Sequence, residues 1–227
     1  MKNKEKRSLL LSFILGDGCL HNTSNNNSGS ITIDHGLAQT DYVTWKAQIV
    51  SKLTDRQVNI RNGHKGKSVQ FSVTFKKFKA WRKFCYPNGK KAFTRILPFI
   101  MHPEFALAIW LMDDGYVEPS ISKLADGSKK NYGARFRIFT ESQPIDDHEY
   151  FVKWFEDNLN VKPMIKTYYC KKRQKSCPFL KFNQADSLKI WERIREVVLA
   201  LKSMQYKFRH IEQIYQYKLS QRTPNES

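Results

Sequence analysis

The chain reads as an α+β protein built from one αββαββα unit repeated twice, each copy carrying an antiparallel sheet with helices behind it. Three observations predict this. Two apolar runs, beginning at Leu9 and at Phe105, each end in an acidic residue followed by glycine, Asp17-Gly18 and Asp114-Gly115. The same order of elements follows each run. Segments after each run alternate polar and apolar residues with a period of two, the mark of half-buried strands. The spacing is far longer than that of solenoid repeats and points to a single duplication. The first repeat is taken as residues 1–102 and the second as residues 103–227.

The elements follow in order. Leu9–Gly16 is apolar nearly all round and reads as a short buried helix stopped at Asp17-Gly18. Cys19–Gly29, rich in Asn and Ser, reads as a strand running into a loop. Ser30–Leu37 sets Ser30, Thr32 and Asp34 on one face against Ile31 and Ile33 on the other. Asp41–Leu53 is expected as a helix with Tyr42, Trp45, Ile49 and Leu53 along its buried stripe. Val58–Arg61 is a strand, with a turn beginning at Asn62-Gly63. Ser68–Phe75 alternates throughout, and Phe78–Tyr86 is a helix ended by Pro87-Asn88-Gly89.

In the second repeat Phe105–Asp113 is the helix. Tyr116–Ser122 and Ala134–Thr140 are strands, and Ile145–Asn158 is a helix started with the help of Asp146 and Asp147. Met164–Tyr169 and Phe179–Phe182 are strands around the basic loop Lys171–Lys175. Gln184–Leu201 is a helix, and a further helical tail follows Lys207.

Composition narrows the function. Of 227 residues, 39 are Lys or Arg and 21 are Asp or Glu, a net charge of +18. That excess implies a polyanionic partner, with nucleic acid first. Residues 1–102 carry a net +13 and residues 103–227 a net +5, so the first half is expected to lean more on phosphate contacts. The four cysteines lack the short paired spacings of zinc sites and read as free thiols. No stretch reaches the roughly 18 apolar residues of a membrane span. The first apolar run stops at Gly-Asp-Gly without a small-residue cleavage site, so it is not read as a signal peptide. There is no phosphate-cradling GxxxxGK[ST] loop, no Ser-His-Asp pattern and no HNH-like histidine cluster. The chain is expected to act as a monomer inside the cell, in an organelle or a prokaryotic cytoplasm.

Each sheet should pack one face on helices and leave the other polar. A twisted ribbon of this kind fits the major groove of a DNA duplex, where Arg and Lys donate to guanine and Gln and Asn bond adenine. In the first repeat the expected DNA-binding residues are His21, Asn22, Thr32, Asp34, His35, Arg61, Lys65, Lys67, Gln70, Ser72 and Thr74. In the second they are Tyr116, Glu118, Ser120, Lys129, Lys130, Arg135, Arg137, Lys166, Tyr168, Lys171, Lys172, Arg173 and Lys181.

The helix ends carry the chemistry. A carboxylate at a helix C-terminus opposes the helix dipole, at about 0.3–1 kcal/mol. Ser12 and Gly16, four apart, would allow two such helices to pack closely and set Asp17 near Asp114 at a pseudo-twofold axis. Close carboxylates repel unless a cation joins them, and oxygen ligands suit Mg²⁺, or Mn²⁺ in its place. The candidate metal set is Asp17 and Asp114 with the residues preceding them, Gly16 and Asp113.

This arrangement resembles the LAGLIDADG endonucleases of the single-chain, two-motif type. The nine-residue motif maps onto Leu10–Gly18 and Leu107–Gly115, its final acid falling on Asp17 and Asp114. Asn88-Gly-Lys-Lys91 and Met204-Gln-Tyr-Lys207 extend the likeness, which covers about residues 8–215. The resemblance implies two sheets forming a DNA-binding saddle. It also implies a homing endonuclease that uses a divalent metal to cut one phosphodiester on each strand of a long asymmetric target. Asp17 and Asp114 would hold the metal, and Lys91 and Lys207 would sit beside the active centre, with Lys90 an alternative to Lys91. Asp113 departs from the pattern, since it occupies a small-residue position. The family also contains group I intron RNA maturases and DNA-binding proteins that no longer cleave, and both remain open.

Overall fold

The computed structural model describes residues 1–23, 28–124, 126–171 and 173–222. The chain divides into two compact units, Met1–Asp113 with Ala200–Met204, and Asp114–Leu199 with Gln205–Ser227. The division falls at the end of a helix, Pro103–Asp114, instead of at residue 102. That helix counts with the first unit because Phe105 meets Phe13 at 5.9 Å and Trp110 meets Phe93 at 5.2 Å between ring centroids.

The first unit runs α1 (Asn3–Leu15), β1 (Cys19–Asn22), β2 (Gly29–Gly36), α2 (Thr40–Thr54), β3 (Ile60–Asn62), β4 (Ser68–Phe75), α3 (Phe78–Cys85), α4 (Phe93–Ile96) and α5 (Pro103–Asp114). Its sheet has the order β1-β2-β4-β3, antiparallel throughout. Helix α1 begins well before its apolar run because the Glu5 carboxylate accepts the Lys2 backbone N–H at 2.8 Å and caps the first turn. It ends where the Gly18 N–H reaches the Phe13 carbonyl at 2.9 Å. A Cβ at residue 18 would lie 2.4 Å from that carbonyl oxygen, so only glycine makes this stop.

Alternation places Ile31, Ile33, Val69, Phe71 and Val73 in the core with Leu10, Phe13, Ile14 and Val50. The buried stripe of α2 is Tyr42, Val43, Lys46, Ala47, Val50 and Leu53. The expected stripe is thus rotated, with Trp45 and Ile49 only half-buried. A lysine, Lys46, lies fully inside. The strand expected at Val58–Arg61 forms only over β3, and α4 was not expected.

The second unit runs β5 (Gly115–Lys123), β6 (Lys129–Phe139), α6 (His148–Leu159), β7 (Met164–Cys170), β8 (Lys175–Lys181), α7 (Gln184–Leu199) and α8 (Gln205–Arg222). Its sheet order, β5-β6-β8-β7, is the order of the first sheet again. Strands β6 and β8 start earlier than expected because each continues a hairpin, β5–β6 through an irregularity at Ser120/Ile121. The core is aromatic. Trp191 stacks on Phe208 at 5.4 Å, and Phe155 meets Phe182 at 5.1 Å. Trp191 also donates to Glu212 at 2.8 Å, and Glu212 takes two bonds from Arg195, locking α7 to α8. No helix among the described residues is long and apolar enough to cross a membrane.

Candidate functional site

Asp17 leaves the end of α1 with 40% of its side chain exposed. The residue before it, Gly16, offers its carbonyl to the Lys91 ammonium at 2.5 Å. Lys91 is half-buried against the helix end, whereas Lys90 is exposed. Tyr86 holds the following turn, accepting the Leu20 N–H and donating to the Gly18 carbonyl, both at 3.4 Å.

Beside Asp17 lies a buried polar cluster that the sequence did not announce. Asp113 has no exposed side-chain surface. Its Oδ1 accepts from Lys46 Nζ at 2.7 Å and from the Tyr42 hydroxyl at 2.9 Å. Its Oδ2 accepts from Lys46 Nζ at 2.9 Å and from the backbone N–H of Asp17 at 2.8 Å. Lys46 Nζ also lies 3.0 Å from His35 Nε2. Burial by itself would raise the Asp113 pKa, but the Lys46 ammonium outweighs it and holds the carboxyl below its usual range.

These contacts correct two expectations. Asp113 belongs to the candidate metal set by sequence, and Asp17, His35 and Asp113 do present ligand atoms within 4.8 Å of one another. Yet the Lys46 ammonium already takes a cation's place on Asp113, and both of its oxygens are filled. Asp113 is thus placed as a support rather than an open ligand. His35, expected to touch DNA, is 8% exposed and faces inward. Alternation from Ile31 and Ile33 carries residue 35 to the helix side of β2. The Gly16 carbonyl accepts one hydrogen bond, from Lys91, and keeps a second lone pair.

The open face of the first sheet is built of cross-strand rows. His21, Ser30 and Thr74 form one, Thr32 and Ser72 a second, and Arg61, Gln70 and Asp34 a third. Asn22 ends β1, and Lys65 and Lys67 are exposed in the β3–β4 turn.

On the second sheet Tyr116, Arg137 and Lys181 share one row, and Glu118 pairs with Arg135 in the next. Glu118 gathers both neighbouring cations. Arg137 contacts it through two nitrogens, and Lys181 Nζ lies 2.7 Å away. Burial pushes the Glu118 pKa up, but the bonds from Lys181 and Arg137 bring it net below the usual range. Tyr168 and Arg173 converge on Glu141, a residue not singled out beforehand. The face is less polar than expected, because Phe139 and Phe179 pack with Tyr168 on it. Ser120, Lys166 and Lys171 are at least partly exposed, and Lys129 and Lys130 open β6. Lys172 lies outside the described residues.

In this unit Asp114 is half-buried at the end of α5. Lys207 is half-buried in the first turn of α8, which packs on β5, the strand that starts directly after Asp114. A basic groove also escaped the sequence reading. Lys76, Lys79, Arg82 and Lys83 line about 590 Å³ with Asn22 and Tyr86. Its signal was the run Lys76–Lys83, which contains no acidic residue.

Asp17 at the end of α1 and Asp114 at the end of α5 are each reached by solvent, and a carboxylate so placed offers the hard oxygen donors that divalent cations take.

Residues 7–190 match the LAGLIDADG DNA endonuclease family. Among solved structures, the homing endonuclease I-WcaI bound to its DNA recognition sequence is similar at a TM-score of 0.61 and 18% identity, over 90% of this chain and 85% of that one. I-DmoI in complex with DNA and Mn gives 0.52 and 16%, over 85% and 97%. I-SmaMI bound to uncleaved DNA with calcium ions gives 0.50 and 8%, over 83% and 84%. A curated relative, Protein RecA of Mycobacterium shimoidei, is 31% identical over 109 residues, 47% of this chain and 25% of that protein. The chain thus matches about a quarter of that relative's length.

Proposed function

Because the chain belongs to the LAGLIDADG DNA endonuclease family, we propose that it is a site-specific endonuclease cutting one phosphodiester in each strand of a long, asymmetric DNA target. The observation that carries this is the motif-helix end in each repeat, an acid reached by solvent, with Lys91 bound to the first helix end. The DNA-bound relatives of the same fold support a duplex as substrate, and their Mn and calcium complexes support a divalent ion.

Asp17 in the first repeat and Asp114 in the second would each offer a carboxylate to divalent metal. The chemistry that Mg²⁺ or Mn²⁺ would supply when bound is a lowered pKa for the attacking water and charge stabilisation of the leaving oxygen. Lys91 and Lys207 offset negative charge developing on the phosphoryl oxygens and hold nearby solvent. Rows of Thr, Ser, Gln and Arg on the first sheet, and Tyr116, Arg135, Arg137 and Lys181 on the second, read base edges. Lys65, Lys67, Lys130, Lys166 and Lys171 neutralise phosphates. Two non-identical repeats in one chain suit a monomer on a non-palindromic site.

Cleavage selection on a randomised duplex library with Mg²⁺ tests the reading. Recovery of one site family cut in both strands is the expected result. Tight binding to a group I intron RNA with no DNA cut would replace it by the maturase reading.

A further inference from the structure

The motif helix α5 places an aspartate, Asp113, where the equivalent residue of α1 is Gly16. We propose that Asp113, neutralised by Lys46, is a positioning residue that sets the direction of the Asp17 carboxylate for its metal ion. The proposal rests on the endonuclease reading for the role of Asp17.

Four geometric facts carry it. The Asp17 N–H ends on Asp113 Oδ2 at 2.8 Å, which fixes the Gly16–Asp17 peptide and so the direction of the Asp17 Cα–Cβ bond. Gly16 is shaped around this contact, since a Cβ there would lie 2.0 Å from the same Oδ2. Lys46 Nζ lies within hydrogen-bond distance of Asp113 Oδ1, Asp113 Oδ2 and His35 Nε2. A charged ammonium only donates, so the His35 tautomer that matches this contact accepts at Nε2 and carries its proton on Nδ1. That Nδ1 is 3.6 Å from Asp17 Oδ2. Backbone and carboxylate of Asp17 are therefore both addressed from one buried cluster.

Stability alone gives little reason for the cluster. Replacing a buried ion pair by apolar side chains of similar volume is often neutral or stabilising. Groups that orient a metal ligand, in contrast, typically change metal affinity by about 10–100-fold when removed.

The test is Mn²⁺ titration of the full chain, without DNA, followed by electron paramagnetic resonance. Wild type is compared with the double variant Lys46→Met/Asp113→Leu, and Asp17→Asn marks loss of the site. The double variant should keep its melting temperature and weaken Mn²⁺ by about 10-fold or more. Unchanged Mn²⁺ affinity in a folded double variant would overturn the proposal, as would failure of the wild type to bind Mn²⁺. If the double variant does not fold, hydrogen exchange of the wild-type Asp17 amide decides. Strong protection supports the contact, and exchange as fast as an exposed turn refutes it. A wild type that binds Mn²⁺ through Asp17 but cuts no DNA would sink the endonuclease reading and leave the positioning role standing.

Discussion

Replacing Lys46 alone by Met should destabilise the first unit strongly. Lys46 and Asp113 both have no exposed side-chain surface, and two bonds of 2.7 and 2.9 Å join them. Met fills much of the lysine's volume, so the packing loss is small. What remains is a buried carboxylate without its cation, which costs about 3–5 kcal/mol. The Tyr42 hydroxyl and the Asp17 N–H still reach Asp113, so about 3 kcal/mol is the reasonable figure. For a chain of this size that is a fall in Tm of roughly 6–12 °C. Urea denaturation at neutral pH, followed by near-ultraviolet circular dichroism, measures it.

The pH dependence gives a second check. In wild type the Asp113 pKa is depressed, so its contribution is present above its unfolded value near 3.9 and is lost as pH falls through the folded value. In the variant the largest lowering influence is gone, and burial, opposed only by the remaining Tyr42, Asp17 N–H and His35 contacts, raises that pKa relative to wild type. The neutral carboxyl then relieves the fold on acidification, so the gap to wild type should narrow as pH falls. A loss under about 1 kcal/mol at neutral pH, or a gap that widens with acid, would refute the reasoning.

Four further outcomes follow from the geometry. Gly16→Ala should cost about 1–3 kcal/mol, because its Cβ would meet an Asp113 oxygen that Lys46 holds in place, and a variant as stable as wild type would contradict that packing. Arg137→Ala should relax base preference at one position by about 1–3 kcal/mol, read from binding to substituted targets, whereas a uniform loss would mark a phosphate contact. Glu118→Gln should release Arg137 and Lys181, tightening non-specific binding and steepening its salt dependence. Glu212→Gln should cost about 1–2 kcal/mol of the α7–α8 packing at neutral pH, a partly exposed charged hydrogen bond. The Arg195 bond lowers the Glu212 pKa, so that contribution is present above its unfolded value and is lost as pH falls through the lower folded one. The variant and wild type should converge in acid unfolding curves.

Much of the architecture was legible because it rests on period and punctuation. The error-free alternation of Ser68–Phe75 and the apolar runs before Asp17 and Asp114 need no tertiary information. What escaped depends on partners distant in sequence. Lys46 on a helix pattern reads as solvated until Asp113, far along the chain, is brought against it. His35 continued the buried series of Ile31 and Ile33, but a polar residue at a strand end looked like a groove contact. Asp113 looked like a packing defect because its counterpart, the missing Cβ of Gly16, is visible only in three dimensions. Likewise Glu118 reads as one more polar face residue until Arg137 and Lys181 close on it.

The central claim is metal-dependent cutting through Asp17 and Asp114. It is tested most directly with a selected duplex, Mg²⁺ and three proteins, wild type, Asp17→Asn and Asp114→Asn, scoring binding by gel shift and both strands by denaturing gel. Wild type should cut both strands, and each variant should bind with nearly unchanged affinity and make no double-strand break. Full cleavage by either variant would contradict the account.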